Sequence, residues 1–142
     1  DAHVAAALEA LDHVADAYLS VSTPVALAAS RLLELGRTTA EAIRARCRTN
    51  LGRLEEIAAA APALTVPPPE GGWSALVRIP ALIDEEELAL ELLETDGVAV
   101  SPGFLFDLPR DRYLVLSLLT EPGILAEGVA RLAARVARVV EG

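Results

Sequence analysis

The chain has 142 residues, 53% hydrophobic and 23% charged, a balance that fits a packed domain and not a disordered tail. Its formal net charge of -9 argues against a nucleic-acid partner, because phosphate binding needs a concentrated basic surface. No window approaches the ~20 uninterrupted apolar residues of a membrane helix, no signal peptide is visible, and the single cysteine, Cys47, needs no oxidising compartment, so a cytoplasmic setting is expected.

Asp1 is expected to cap a first helix through Ala5, Leu8, Leu11, Val14 and Leu19, where apolar residues recur at three- and four-residue spacing. Ser20-Val21-Ser22-Thr23-Pro24 breaks it. Thr23 followed by Pro24 then reads as an N-cap with proline at the first helical position, opening a second helix that runs to Gly36. Thr38 and Glu41 have capping-box spacing and predict a long third helix to about Ala60. Pro62 stops it, and a proline-rich linker follows through Pro67, Pro68 and Pro69 to Gly71 and Gly72.

Beyond the linker the pattern changes. Trp73, Ala75, Val77 and Ile79 alternate with Ser74 and Arg78, which predicts a half-buried strand. Asp84 with Glu87 opens an amphipathic helix whose apolar side is read as Leu88, Leu90, Leu92 and Leu93. Gly97 ends it, and a short strand from Val98 to Ser101 leads to a turn at Pro102-Gly103. A polar loop from Asp107 to Arg112 precedes a third strand, Tyr113 to Leu119. Thr120 and Pro122 start a last helix to about Val140, with Leu125, Val129, Leu132, Val136 and Val139 on one face. The order predicts an α+β fold: a small, mostly antiparallel sheet covered by helices, in residues 67–142. An N-terminal helical segment ending in the long helix, residues 1–66, precedes it.

Few residues suggest chemistry. His3 and His13 are about 15 Å apart along one helix and do not converge on a metal. Cys47 has arginine neighbours but no nearby histidine to act as a base, so it reads as a packed side chain. Asp84-Glu85-Glu86-Glu87 point in different directions around a helix and suit its N-terminal electrostatics better than a cation. Arg44, Arg46, Arg48 and Arg53 read as a solvated face neutralised by Glu41, Glu55 and Glu56. No catalytic constellation is complete.

The order of motifs carries more. Gly71-Gly72-Trp73 opens a strand, a hydrophobic helix runs through Glu94, and Gly97-Val98-Ala99-Val100-Ser101-Pro102-Gly103-Phe104 makes a turn. Leu114-Val115-Leu116-Ser117 and Glu127-Gly128 follow. This succession resembles the C-terminal small domain of class I/II, fold-type-I aminotransferases that use pyridoxal phosphate (PLP). The resemblance implies a parent enzyme that moves an amino group between an amino acid or amine and a 2-oxo acid, as a homodimer. In that family a lysine of the large domain holds PLP. All 12 basic residues here are arginine and there is no methionine, so the chain reads as an excerpt whose native start precedes Asp1. Alone it is expected to bind no PLP and to be inactive.

The resemblance also implies a departure. The family carries an arginine for the substrate α-carboxylate where Val115 stands, and a glycine where Asp107 stands. Candidate substrate-binding residues are therefore Val115, Arg78, Arg112 and Trp73, with Arg78, Arg110 or Arg112 supplying the displaced charge. Two other readings compete: a fold-type-I PLP lyase or decarboxylase fragment, and a free-standing non-catalytic ligand-binding domain.

Overall fold

A computed structural model of the chain describes residues 2–17, 21–108 and 112–141; Asp1, Leu19, Ser20 and Arg110, singled out above, lie outside the described residues. In chain order it contains α1 (Ala2–Ala17), α2 (Thr23–Leu35), α3 (Arg37–Ala59), β1 (Ser74–Arg78), α4 (Glu85–Asp96), β2 (Ser101–Pro102), a 3-10 turn (Gly103–Phe106), β3 (Tyr113–Ser117) and α5 (Pro122–Glu141). The strands form one antiparallel sheet in the order β1-β3-β2, and the fold is α+β.

The chain divides into two compact units, Asp1–Ala40 and Glu41–Gly142. In the first, the apolar stripe anticipated for α1 exists but is uncovered: Val4, Leu8, Leu11 and Val14 are each more than half exposed. None of the residues of α2 is buried. This helix starts at Thr23 itself, one residue earlier than its proline suggested, and Ser22 closes the first turn through its carbonyl, 3.0 Å from the Ala26 N–H. The capping box at Thr38 does not form. Gly36 stays in right-handed helical geometry, its N–H bonded to the Leu32 carbonyl and its carbonyl to the Ala40 N–H, both at 2.9 Å. Gly36 thus stands between the end of α2 at Leu35 and the start of α3 at Arg37, and Thr38 lies within the first turn of α3 and not at its N-cap.

The second unit holds the core. Leu54 of α3, Val77 of β1, Leu88 and Leu92 of α4, Leu114 of β3, and Leu132 and Val136 of α5 are all 2% exposed or less. Leu64, in the stretch read as linker, joins them, and the backbone of Thr65 bridges to Arg78 in antiparallel sense. The alternation read for the first strand holds at Ala75, Val77 and Ile79, which are buried, but not at Trp73, which precedes β1 and is 61% exposed. That of β3 holds, and Leu114, Leu116 and Leu118 are core. In α5, Leu125, Val129, Leu132 and Val136 are buried as the spacing requires, while Val139 is 41% exposed near the helix end.

Two local readings need correction. In α4 the buried stripe is Leu88, Ala89 and Leu92; Leu90 and Leu93 are about half exposed. At about 100° per residue, Ala89 and Leu92 fall close to Leu88 around the helix, whereas Leu90 points away. The strand expected from Val98 is reduced to Ser101–Pro102, because residues 98–100 do not pair with β3. The caps of α4 form as read. Asp84 accepts from the N–H groups of Glu86 and Glu87 at 3.0 and 3.2 Å, and Gly97 ends the helix at φ 66°.

Candidate functional site

With helix-facing leucines at 114, 116 and 118, period-two alternation sends Tyr113, Val115 and Ser117 to the other face of the sheet. Register assembles that face in rungs. Ser74 lies opposite Ser117, Leu76 opposite Val115 with Ser101 on its far side, and Arg78 opposite Tyr113. Leu76, Val115, Tyr113 and Ser101 are half-buried, and Ser74, Arg78 and Ser117 are exposed. The face is therefore open: an apolar centre of Leu76 and Val115, ringed by serine hydroxyls, one phenol and one guanidinium.

Arg78 and Val115 are diagonal neighbours in this register, a separation of roughly 7 Å between side-chain roots that a long arginine spans easily. The Arg78 guanidinium makes no hydrogen bond or ion pair among the described residues. Arg112 is placed differently. Its backbone is left-handed (φ 56°), and its Nη1 donates to the Ile83 carbonyl at 2.8 Å and to Asp84 Oδ2 at 3.2 Å. That arginine is committed to the start of α4. Trp73 stands one residue before β1, 61% exposed, and by alternation belongs to the Ala75 side, not the Val115 side. Of the candidates, then, the structure brings Arg78 and Val115 together and leaves Arg112 and Trp73 apart from them.

The turn beside this face is tightly built. A side chain on Gly103 would meet the Tyr113 carbonyl at 2.8 Å, so only glycine lets the 3-10 turn pass β3 this closely. Asp107, where the resemblance anticipates glycine, adopts the left-handed conformation that glycine would (φ 52°).

Two residues with structural consequences escaped the sequence reading. Glu85 accepts the Phe104 N–H on one carboxylate oxygen and the Tyr113 N–H on the other, each at 2.9 Å. Read from sequence it is one of four acidic residues at a helix start; only the tertiary pairing distinguishes it. Asn50 is completely buried in α3 and donates to the carbonyls of Leu118 and Thr120 at 2.8 and 2.7 Å. Here a signal existed: Asn50, Leu54 and Ala58 recur every four residues, which places a polar side chain in the buried stripe of α3.

Electrostatics elsewhere are structural. The N–H groups of Glu87 and Glu86, and then the Arg112 guanidinium, hold the Asp84 carboxyl below its ordinary range. The N–H groups of Gly123 and Ile124, with Arg46 nearby, do the same for Glu121 at the start of α5. Arg135 Nε donates to Asp96 Oδ2 at 2.9 Å, tying α5 to the end of α4. Of the basic run in α3, Arg53 pairs with Glu56 at 3.6 Å, and Arg46 reaches the carbonyls of Leu119 and Thr120. Cys47 packs partly buried against the core. Among the described residues no group of three or more His, Cys, Asp and Glu side chains is placed to hold a metal, and no helix is long and apolar enough to cross a membrane.

Chemically, the open face can bind and orient a small anionic molecule through Arg78, Tyr113 and the serine hydroxyls. It does not suit PLP. That cofactor is held through a lysine amine, and the chain has none. The N-termini of α4 and α5, natural seats for a phosphate, are filled by the carboxylates of Asp84 and Glu121.

No protein-family model matches the chain, and no curated protein matches it. Solved structures do. A probable N-succinyldiaminopimelate aminotransferase from Thermus thermophilus matches with a TM-score of 0.55 and 26% identity, over 71% of this chain and 26% of its own. An α-aminoadipate aminotransferase, from another strain of Thermus thermophilus and solved with N-(5'-phosphopyridoxyl)-L-leucine, gives 0.64 and 24% over 78% of this chain and 30% of its own. An aspartate aminotransferase from Thermotoga maritima gives 0.63 and 22% over 87% and 31%. The chain thus spans a quarter to a third of the length of these enzymes, and it matches the C-terminal portion of fold-type-I aminotransferases in structure.

Proposed function

We propose that the chain is the C-terminal small domain of a PLP-dependent aminotransferase that moves an amino group between an amino acid or amine and a 2-oxo acid. The observation that carries this reading is the structural match over 71% to 87% of the chain to the C-terminal portion of such enzymes. In this proposal residues 67–142 form the small domain proper and residues 1–66 join it to a large domain that supplies the Schiff-base lysine. The uncovered apolar stripe of α1 and the apolar residues of α2 pack on that large domain, and the parent works as a homodimer in the cytoplasm.

The substrate side is the open face of the sheet. Arg78 takes the substrate carboxylate, Val115 provides apolar contact where the family has arginine, and Trp73 borders the site. Arg112 contributes by fixing the loop before β3, since its guanidinium is already bound to Ile83 and Asp84. The test is a screen of the full-length parent protein, loaded with PLP, against α-amino acids and amines, read by the cofactor's absorbance change. Amine-dependent turnover is expected. A parent sequence with no lysine-bearing large domain would sink the proposal and favour a free-standing binding domain.

A further inference from the structure

Arg78 and Tyr113, which share a rung of the open face, are held from opposite sides of the sheet. The N–H of Ile79 donates to the Arg112 carbonyl at 3.0 Å and that of Leu118 to the Trp73 carbonyl at 2.8 Å. These bonds fall on alternate residues, so Arg78 and Tyr113 form a non-hydrogen-bonded pair, the kind whose Cα atoms lie about 4.5 Å apart and whose side chains come closest. The backbone groups of both residues therefore point away from the β1–β3 ladder. Arg78 exchanges its two bonds with Thr65, at 2.8 and 3.1 Å. At Tyr113 the neighbouring strand has run out, since β2 ends at Pro102 and Gly103 leaves into the 3-10 turn. Where the next strand residue would accept, the Glu85 carboxylate accepts instead, 2.9 Å from the Tyr113 N–H.

The other oxygen of the same carboxylate receives the Phe104 N–H, also at 2.9 Å. Glu85 is half-buried in this position, whereas Glu86 and Glu87 are exposed. Just before Tyr113, the left-handed Arg112 (φ 56°) is tied through Nη1 to the Ile83 carbonyl at 2.8 Å. The start of α4 thus grips the start of β3 at two successive residues. A bulky side chain rarely adopts the backbone conformation of Arg112, so the strand begins next to a residue that has to be held. Tyr113, placed in this way, turns its side chain to the open face beside Arg78. Neither the phenol nor the guanidinium makes a hydrogen bond among the described residues. A neutral O–H donor and a charged N–H donor, side by side, match the two oxygens of one carboxylate.

We propose that Glu85 is the positioning residue of this pair: it fixes Tyr113 so that the phenol and the Arg78 guanidinium share one substrate carboxylate. The inference rests on the reading of this face as the substrate side of an aminotransferase. It adds to that reading a second carboxylate donor and the residue that aims it. A misplacement of about 1 Å is enough to lose the contribution of such a donor.

The experiment compares two amino donors on the full-length protein loaded with PLP: an α-amino acid, and a primary amine that lacks a carboxylate. Glu85→Gln sets an NH2 group against one of the two N–H donors and should lower kcat/KM for the amino acid about tenfold, chiefly through KM. Turnover of the amine should be unchanged. In an Arg78→Ala background the effect of Glu85→Gln should shrink to less than about twofold, because both residues act on one carboxylate. Equal losses on the two donors, or an undiminished loss without Arg78, would make Glu85 a support of the fold alone and overturn the proposal. Tyr113→Phe removes the hydroxyl and leaves the Glu85 contact in place, so it decides the matter even where Glu85→Gln fails to fold. It should reproduce the selective loss, and unchanged kinetics would overturn the proposal. If the unaltered protein turns over neither donor, the proposed function fails by itself. Isothermal titration with valerate, a carboxylate without an amine, then reads the pair directly: binding about tenfold weaker in Tyr113→Phe supports it, and equal binding overturns it.

Discussion

Arg78 and Tyr113 face each other across the β1–β3 ladder, and Val115 follows Tyr113 two residues on, along the same face. Arg78 is thereby the one candidate arginine among the described residues whose guanidinium shares a face with Val115 and is not already committed. In the full-length protein, Arg78→Ala should lower kcat/KM for carboxylate-bearing substrates by roughly ten- to a hundred-fold, the scale of a hydrogen bond to a charged group. Because Arg78 is exposed, the midpoint of urea unfolding should not move. Unchanged kinetics across a substrate panel would remove Arg78 from the site.

Under the proposed function, Val115→Arg introduces the carboxylate-binding arginine that the resemblance implies, at a half-buried position of the open face. The variant should fold and should handle an ordinary α-amino acid better than the parent does, measured as kcat/KM. If it unfolds instead, Val115 is a packing residue and the site assignment is wrong.

Asn50 tests the link between α3 and the turn after β3. Asn50→Ala leaves the carbonyls of Leu118 and Thr120 without their buried donor, a loss of about 2–4 kcal/mol that chemical denaturation would read. Asn50→Asp preserves shape but places a carboxylate against two carbonyls. Burial raises its pKa, the protonated form can still donate, and so its cost should grow as pH rises. A pH-independent cost would contradict this arrangement.

Asp84 and Glu121 predict acid sensitivity. Both have folded-state pKa values below their unfolded values, so each stabilises the fold above about pH 4 and loses that contribution as pH falls through the lowered folded value. Thermal unfolding followed from pH 7 to pH 3 should show Tm falling at the acid end. Asp84→Asn and Glu121→Gln should start lower at neutral pH and fall less. Parallel curves for variants and wild type would exclude these caps as the source.

Packing predicts a sharp contrast between the two units. Leu132→Ala, at a completely buried position, should cost about 2–5 kcal/mol. Leu27→Ser, at a position 83% exposed in α2, should change stability in the 142-residue chain by no more than about 0.5 kcal/mol. A large cost for the latter would mean that α2 is covered in solution.

Much of the second unit is legible in sequence because local and tertiary signals agree there. Asp84 and Gly97 bracket α4 with unambiguous cap chemistry, and Leu114, Leu116 and Leu118 assign the buried face of β3 by alternation alone. Failures occur where tertiary context decides. Gly36 ends α2 as read, but α3 starts at once at Arg37, so Thr38 falls inside its first turn instead of capping it. Leu90 and Leu93 have the hydrophobicity of core residues, but the helix angle turns them outward. Arg112 looked available because sequence shows its charge and not the carbonyl of Ile83 that engages it. Val98–Val100 have strand propensity, but α4 and α5 hold them away from the partner that would make them one.

Glu85 grips the backbone at Phe104 and again at Tyr113, so one carboxylate staples both stems of the turn region between α4 and β3. With both stems held, a change of length after Phe106 costs little, since the cost of closing a loop grows only slowly with its length. Sequence there can lengthen or change composition while β3 keeps its register. That makes the stretch a natural place for one member of a lineage to diverge from another in what it admits to the face beside Tyr113, without rebuilding the domain that carries it.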